Sequence, residues 1–509
     1  MEGKRLWLAV VVFFFSLVFH AFMINEAGRT WDEQFKVDLG FVAWGRWAAG
    51  DFSEESWRLG IEHPMVAKYI YGLFLPGQAI RLSTTGDQTK MRQDFNVDER
   101  IVLSRNKYIP TMIRNVWYAV DYDWTLIRLV SAVFNSLALA GVFVMATWFL
   151  ADGWALLAPA ILLFTPRFLA MGKQLTYESI TVGLVVWTVI LFDRLMTRSK
   201  KLWPYVVVGL ACGLVIFTRY NNVYIFVLLV GWWLIRYRSL EPRLALLPAA
   251  ALLFGFLTWP LLWHSFPRYL IESIVENGGR PIGLTGYYPA MLLVTTPGLW
   301  LVGLVFGGAA MVKKKSEKGW LMLWWLVSVV AVFSFFGIEG GGTRYIFFIY
   351  PPLAVTAAVG WHWLLTRRRH LKYLLIALVG YGLGLTVLIH PYYLDYYNEL
   401  VGGVAGAVER GYEISWWGEG QREVGQYLNK VATEKAKVAL LVTPRYVMPP
   451  LRSDLVQGKF GDFGGDEDYV IVSQADVAAN REKLEKSYEL IYEAKAGGVG
   501  LVSLWRKKG

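Results

Sequence analysis

Apolar runs near the length that crosses a bilayer, about 20 residues, alternate along the chain with short polar joints. They stand near 6–25, 125–150, 154–171, 177–196, 202–219, 222–237, 243–263, 289–311, 319–338, 345–365 and 371–390. The pattern predicts a polytopic α-helical membrane protein with about eleven transmembrane helices. A long mixed loop, 26–124, separates the first run from the second. After residue 390 the pattern changes. "KVALLV", "DYVIVS", "YELIYEA" and "GLVSLW" are strand-like, and "ADVAANREKLEKS" among them is helical. Segment 391–509 therefore reads as a small α/β domain following a membrane domain of 1–390.

Composition supports the membrane class. The chain is 55% hydrophobic and carries 24 Trp, 27 Tyr and 29 Phe, more apolar and aromatic weight than soluble chains combine. The net charge of +11 does not call for nucleic acid, because the basic residues cluster in joints between apolar runs. "DRLMTRSKK", "RYRSLEPR", "KKKSEK" and "TRRRHLK" follow the fourth, sixth, eighth and tenth runs. All four fall on one side, with Lys4 and Arg5 of the N-terminus. By the positive-inside rule that side is the cytoplasm. The first run is then a retained signal anchor in a multi-pass plasma-membrane protein, with the 26–124 loop, the joint 264–289 and the C-terminal domain outside. The lone Cys212 excludes an intrachain disulfide and a cysteine-rich metal site.

This topology places the ionisable residues at the ends of the apolar runs. Arg128, Arg167, Glu178, Arg219, Glu339 and Arg344 all fall at outer ends. Singly, each fits a side chain snorkelling to the interface. Together they fit a polar cavity beneath the outer loop, where planar guanidinium forks suit a phosphate. In that loop, "EQFKVDLGFVAWGRWAAGDF" has Phe35, Leu39, Phe41, Val42 and Trp44 along one helical side, as in an interfacial helix. Asp32 and Glu33 directly follow Trp31 at its start, where carboxylates also stabilise a helix N-terminus. Glu62, His63 and Lys68 lie in "GIEHPMVAKYIYGLF". No G-x-x-x-x-G-K-[ST], G-x-G-x-x-G or H-E-x-x-H motif is present, and the cytoplasmic joints are too short to hold a domain. Chemistry is expected outside, on a substrate already in the membrane.

Several segments carry a resemblance. "WDEQ" followed by "HPMVAK" resembles the Asp-Glu and His-Pro-Pro-Leu-x-Lys pattern of the protein O-mannosyltransferases, with Met65 in place of the second proline. "LIRLVSAVFNSLAL", "PRFLAMGKQLTYES", "WPLLWHSFPRYLIESI", "YYPAMLLVTTPGLW" and "RYIFFIYPPLAV" also look like segments of that superfamily. "YYNELVGGVAGAVERGYEISWWGEG" resembles the junction of its prokaryotic members. The superfamily comprises C-type (GT-C) membrane glycosyltransferases, including dolichyl-phosphate-mannose-protein mannosyltransferases and the aminoarabinose transferases of lipid A.

The resemblance implies an inverting transferase. It would move a sugar from a polyprenyl-phosphate donor, dolichyl or undecaprenyl, to a hydroxyl of a protein, lipid or glycan acceptor. Asp32 would be the general base, with Glu33 orienting it or binding the acceptor. Glu62, His63, Lys68, Arg128 and Arg344 would bind the donor. A carboxylate suits the base role once partial burial raises its pKa, and cations suit the departing phosphate. The residues demand no cofactor or metal, although adjacent acids could hold a divalent ion. Two other classes fit an outer polar cavity: a lipid or solute transporter, and a non-catalytic membrane scaffold. Against transport, the runs carry few charges at their cytoplasmic ends, so no continuous polar path is evident.

Overall fold

A computed structural model describes the chain except residues 1, 27, 59, 62, 75–78, 84–107, 114–115, 122, 197–200, 279–282, 337–339, 368–372, 443–446, 450 and 458–463. Every one of the eleven apolar runs contains helix. Fewer of these helices, among the described residues, meet the length and composition of a span than the eleven runs predict. Four single helices are long and apolar enough to cross a membrane: Gly3–Glu26, Trp124–Ala146, Glu317–Phe335 and Arg344–Leu365. Two bent pairs qualify if each is one span, Asp152–Leu163 with Pro166–Gly172 and Tyr287–Thr295 with Gly298–Lys314. The described residues thus give four to six spans by length and composition. Trp203–Ile216, Pro242–Thr258 and Leu374–Leu388 are apolar but shorter. A 14-residue helix such as Trp203–Ile216 rises only about 21 Å, against a hydrocarbon core of about 30 Å.

The bends have a local cause. Pro166 and Pro297 each sit at a break, where a missing N–H and a fixed φ cannot continue the preceding helix. The axes turn by 77° and 115° at these two points. The Gly298–Lys314 helix packs against Tyr350–Leu365 through glycines. A Cβ at Gly307 would lie 1.8 Å from the Thr356 carbonyl oxygen, and one at Gly360 would lie 1.9 Å from that of Gly303. Only residues without side chains let the two backbones approach this closely.

The 26–124 loop carries the helix Trp31–Ala49 and the shorter Val66–Leu73. It also holds a three-stranded antiparallel sheet of β1 (Ala79–Ser83), β2 (Tyr108–Ile113) and β3 (Val116–Asp121), in the order β1-β3-β2. The residues along the expected apolar side of the Trp31–Ala49 helix are buried to different degrees. Leu39 and Val42 are buried, yet Phe35 and Trp44 are exposed while Glu33, Lys36 and Arg46 are buried. Its charged positions face the protein. The amphipathic helix Phe266–Gly278 packs beside this loop: Tyr269 donates to Glu54, Ser273 to the Ile61 carbonyl, and the His264 ring lies 2.7 Å from the Phe52 carbonyl oxygen.

The four strand-like runs of the C-terminal segment are strands. With β4 (Lys437–Leu441), β5 (Val456–Gln457), β6 (Tyr469–Ser473), β7 (Tyr488–Ala496) and β8 (Val499–Lys507), the sheet order is β5-β4-β6-β8-β7. β4 runs parallel to β5 and β6, and β8 antiparallel to β6 and β7. Alternate residues Ala439, Leu441, Val470 and Val472 pack on Leu484 of the helix Gln474–Ser487, the usual way a sheet face is covered.

Candidate functional site

The start of the Trp31–Ala49 helix separates its two carboxylates. Successive helical residues point about 100° apart, so Asp32 and Glu33 meet different surroundings. Glu33 is fully buried. Its carboxylate accepts from Arg128 Nε at 2.8 Å and Nη2 at 2.7 Å, from Leu175 N at 2.8 Å and from Thr30 N at 2.8 Å. The helix-start role that sequence allows for the acidic pair therefore belongs to Glu33. Arg128 also donates to the carbonyls of Ile24 and Gly28. This pair ties the chain before the helix to the Trp124–Ala146 span.

Asp32 faces a second group of charges. Its Oδ2 accepts from Arg344 Nη2 at 2.6 Å and lies 3.4 Å from Lys36 Nζ, one helical turn on. Arg344 Nε donates to Glu178 Oε1 at 2.5 Å, and Arg219 pairs with the same oxygen. Two carboxylates thus face three cations, leaving one positive charge over. Aromatic rings close the group. Arg344 lies 4.6 Å and Lys36 5.3 Å from the Trp417 ring, Lys36 5.0 Å from that of Tyr177, and Arg219 4.6 Å from that of Tyr345, all cation–π distances. The Lys36 ammonium is buried and makes no hydrogen bond among the described residues.

The elements that present these residues are local products of sequence. Gly340, Gly341 and Gly342 take φ of +98°, +64° and +59°, left-handed values that glycine adopts without strain, and this turn delivers Arg344. Thr176 caps the Tyr177–Leu195 helix, its side chain accepting from Ser179 N, which puts Glu178 in the first turn, where the helix dipole favours a carboxylate.

Exposure singles out Asp32. Its side chain is 27% exposed, against 0% for Glu33 and 2% for Glu178, so among these three acids it alone can meet an incoming group. Burial pushes its carboxyl up, but Lys36 and Arg344 outweigh burial and hold it down at about 2. The sequence-based expectation of a raised pKa is thereby corrected: the cations beside it win. Burial pushes the Lys36 ammonium below its ordinary value, with Asp32 opposing. His63 is pushed well below its ordinary range by burial and then by Arg219, Lys68, Lys36 and Arg344, and its Nδ1 is buried without a hydrogen-bond partner among the described residues. A neutral imidazole therefore sits edge-on to Tyr177, ring centroids 5.3 Å apart.

The expected site residues are only partly brought together. Asp32, His63 and Arg344 converge. Glu33 and Arg128 form a separate buried pair. Lys68 is buried and donates to the carbonyls of Gly60 and His63, which shapes the His63 loop. Glu62 and Glu339 lie outside the described residues. Asp32 and Glu33 have separate side-chain partners. Among the described residues, no group of three or more His, Cys, Asp or Glu is placed to bind a metal. Sequence reading missed Lys36 and Trp417, and noted Glu178 and Arg219 without assigning them to the site. The spacing of four between Asp32 and Lys36, which makes helical neighbours, was the available signal.

No family model matches the chain, and no curated protein matches it in sequence. Two solved structures of ArnT from Cupriavidus metallidurans are similar in fold. The structure bound to undecaprenyl phosphate is 12% identical, covers 99% of this chain and 97% of that one, and gives a TM-score of 0.52. The apo structure is 13% identical, with the same coverage and a TM-score of 0.50. At this identity the likeness establishes the fold alone: the chain shares the C-type (GT-C) fold of these two structures.

Proposed function

We propose that the protein is an inverting glycosyltransferase that moves a sugar from a polyprenyl phosphate to an acceptor hydroxyl at the outer face of the membrane. The observation that carries this reading is the convergence of one partly exposed carboxylate, Asp32, with Arg344 and Lys36 at one end of the helices. Similarity to a fold that holds undecaprenyl phosphate in ArnT supports a lipid-phosphate donor. The arrangement of basic joints supports an outer location for the site, with the N-terminus cytoplasmic and segment 391–509 outside.

In this reading the acceptor oxygen attacks the anomeric carbon as the carbon–oxygen bond to the phosphate breaks. The hydroxyl proton passes to Asp32, and the bond's electron pair leaves with polyprenyl phosphate. Attack opposite the leaving group inverts the anomeric centre. Arg344 and Lys36 stabilise the charge that grows on the phosphate in the transition state. The same two cations keep Asp32 a weak base in the free protein. A donor phosphate that engages them draws them off the carboxylate and raises its basicity. Donor binding thus readies the base, and Glu178 retains Arg344 during the exchange. Glu33, paired with Arg128, positions the helix that presents Asp32.

The test is incubation of the purified chain with a panel of polyprenyl-phosphate sugars and candidate acceptors, following release of polyprenyl phosphate. Acceptor-dependent release with an inverted product supports the reading. No release across the panel from folded protein contradicts it.

A further inference from the structure

A second polar feature lies beside the proposed site and takes no part in it. A cavity of about 160 Å³ is lined by Arg167, Tyr287, Gly342, Tyr397, Tyr412 and Trp416, among others. Arg167 is only 2% exposed, and its Nε and Nη2 are buried without a hydrogen-bond partner among the described residues. No carboxylate lies within ion-pair distance of it among the described residues, and its guanidinium sits 5.1 Å from the Tyr397 ring. A buried arginine so placed is costly unless something supplies the missing acceptors.

Two acids that feel its charge do not supply them. Asp395 accepts from Ser415 N at 2.7 Å, and Glu419 from Trp417 N at 2.9 Å. Burial pushes both carboxyls up, towards their neutral forms. Glu413 also lines the cavity, but it is an exposed residue whose main-chain carbonyl accepts from Tyr397. The other walls are aromatic. Tyr397 and Tyr412 face each other with centroids 5.6 Å apart, and Tyr287 Oη accepts from Gly342 N at 2.9 Å. Flat rings offer faces to the C–H faces of a sugar, and the guanidinium fork suits an oxyanion.

The cavity adjoins the proposed site on two sides. Gly342 lies in the turn that delivers Arg344. Trp416 lines the cavity while its neighbour Trp417 covers Arg344 and Lys36. We propose that the Arg167 cavity is the acceptor subsite and that it takes a saccharide unit bearing an anionic substituent, a phosphate or a carboxylate. This rests on the transferase reading, and it narrows the acceptor to an acidic glycan or glycolipid.

The test needs no turnover. Calorimetric titration of the full chain in detergent would use methyl glucoside 6-phosphate, methyl glucuronide, uncharged methyl glucoside, inorganic phosphate and undecaprenyl phosphate. At least one charged glycoside should bind about tenfold or more tighter than both the uncharged glycoside and inorganic phosphate. The two charged arms separate phosphate from carboxylate. Arg167→Gln should abolish the preference while leaving undecaprenyl phosphate affinity within about twofold. If Arg167→Gln does not fold, Arg167→Lys, which keeps the charge but loses the fork, should reduce the preference. The proposal is overturned if wild type shows no preference, or if inorganic phosphate alone binds as well. It is also overturned if the folded Arg167 variant keeps the preference, or if it loses undecaprenyl phosphate instead. An intact preference in a chain that transfers no sugar would leave this cavity standing and remove the transferase reading alone.

Discussion

Glu33→Gln should destabilise the protein without directly touching the chemistry. The substitution keeps size but removes the charge opposite the buried Arg128. A single amide oxygen can take one side of the carboxylate's contacts. It can replace the oxygen that accepts from Arg128 Nε and Leu175 N, or the one that accepts from Arg128 Nη2 and Thr30 N. The amide nitrogen then confronts two donors on the other side. Breaking one partner of a buried ion pair costs about 3–5 kcal/mol. At about 2.1 cal/mol/K per residue, the 509 residues give an unfolding entropy of about 1 kcal/mol/K, so the loss corresponds to about 3–5 °C. A membrane chain that keeps its helices on unfolding has a smaller entropy and a larger shift. Intrinsic fluorescence during heating at one fixed scan rate measures it, the fixed rate being needed where unfolding is irreversible. Well below the transition, turnover per folded molecule should stay near wild type. A melting curve within about 1 °C of wild type, well under the shift expected for a broken buried pair, together with lost turnover, would refute the structural assignment and return Glu33 to the chemistry.

Arg344→Ala should weaken undecaprenyl phosphate binding by about tenfold or more, the loss of one charge-assisted contact of about 1.5–3 kcal/mol; Arg128→Ala should act on melting instead, and equal affinity losses in the two would contradict the separation of the pairs. Asp32 is held at about 2, so it is ionised throughout the ordinary range, and kcat/KM should show no acidic limb from it above pH about 4. Removing the restraining cation raises the pKa, so Arg344→Gln should move that limb to higher pH; a limb that stays or moves down would show that Arg344 does not govern the base. In a Cys212-free variant, an impermeant thiol reagent should label a cysteine at Gly465 from outside and miss one at Ser316, and the reverse pattern would invert the topology.

Much of this arrangement is legible in the chain because apolarity alone marks helices. All eleven apolar runs contain helix, and the strands of the C-terminal segment stand where their β-rich runs are. Span number is less legible, because hydropathy records that a stretch is apolar and not where its axis turns. The breaks at Pro166 and Pro297 lie inside runs that read as continuous. The site was half visible for a related reason. Topology places Arg128, Glu178, Arg219 and Arg344 at one end, but not which acid each one meets. Glu33 and Asp32 are neighbours in sequence and part company only because a helix rotates between them. Trp417 reaches the site from the far end of the chain, and no local pattern announces such a contact.

Asp32→Asn tests most directly whether Asp32 takes the acceptor's proton. Asparagine keeps the shape and caps helices about as well as aspartate, but it leaves the buried Lys36, and Arg344, without this charge, so some loss of melting temperature is expected and turnover is read per folded molecule. Turnover at saturating undecaprenyl-phosphate sugar, measured as polyprenyl phosphate released per folded molecule, should fall by about 10²–10⁴-fold, as loss of a general base does. Retention of more than about a tenth of the wild-type rate, far above that loss, would contradict the account at its centre.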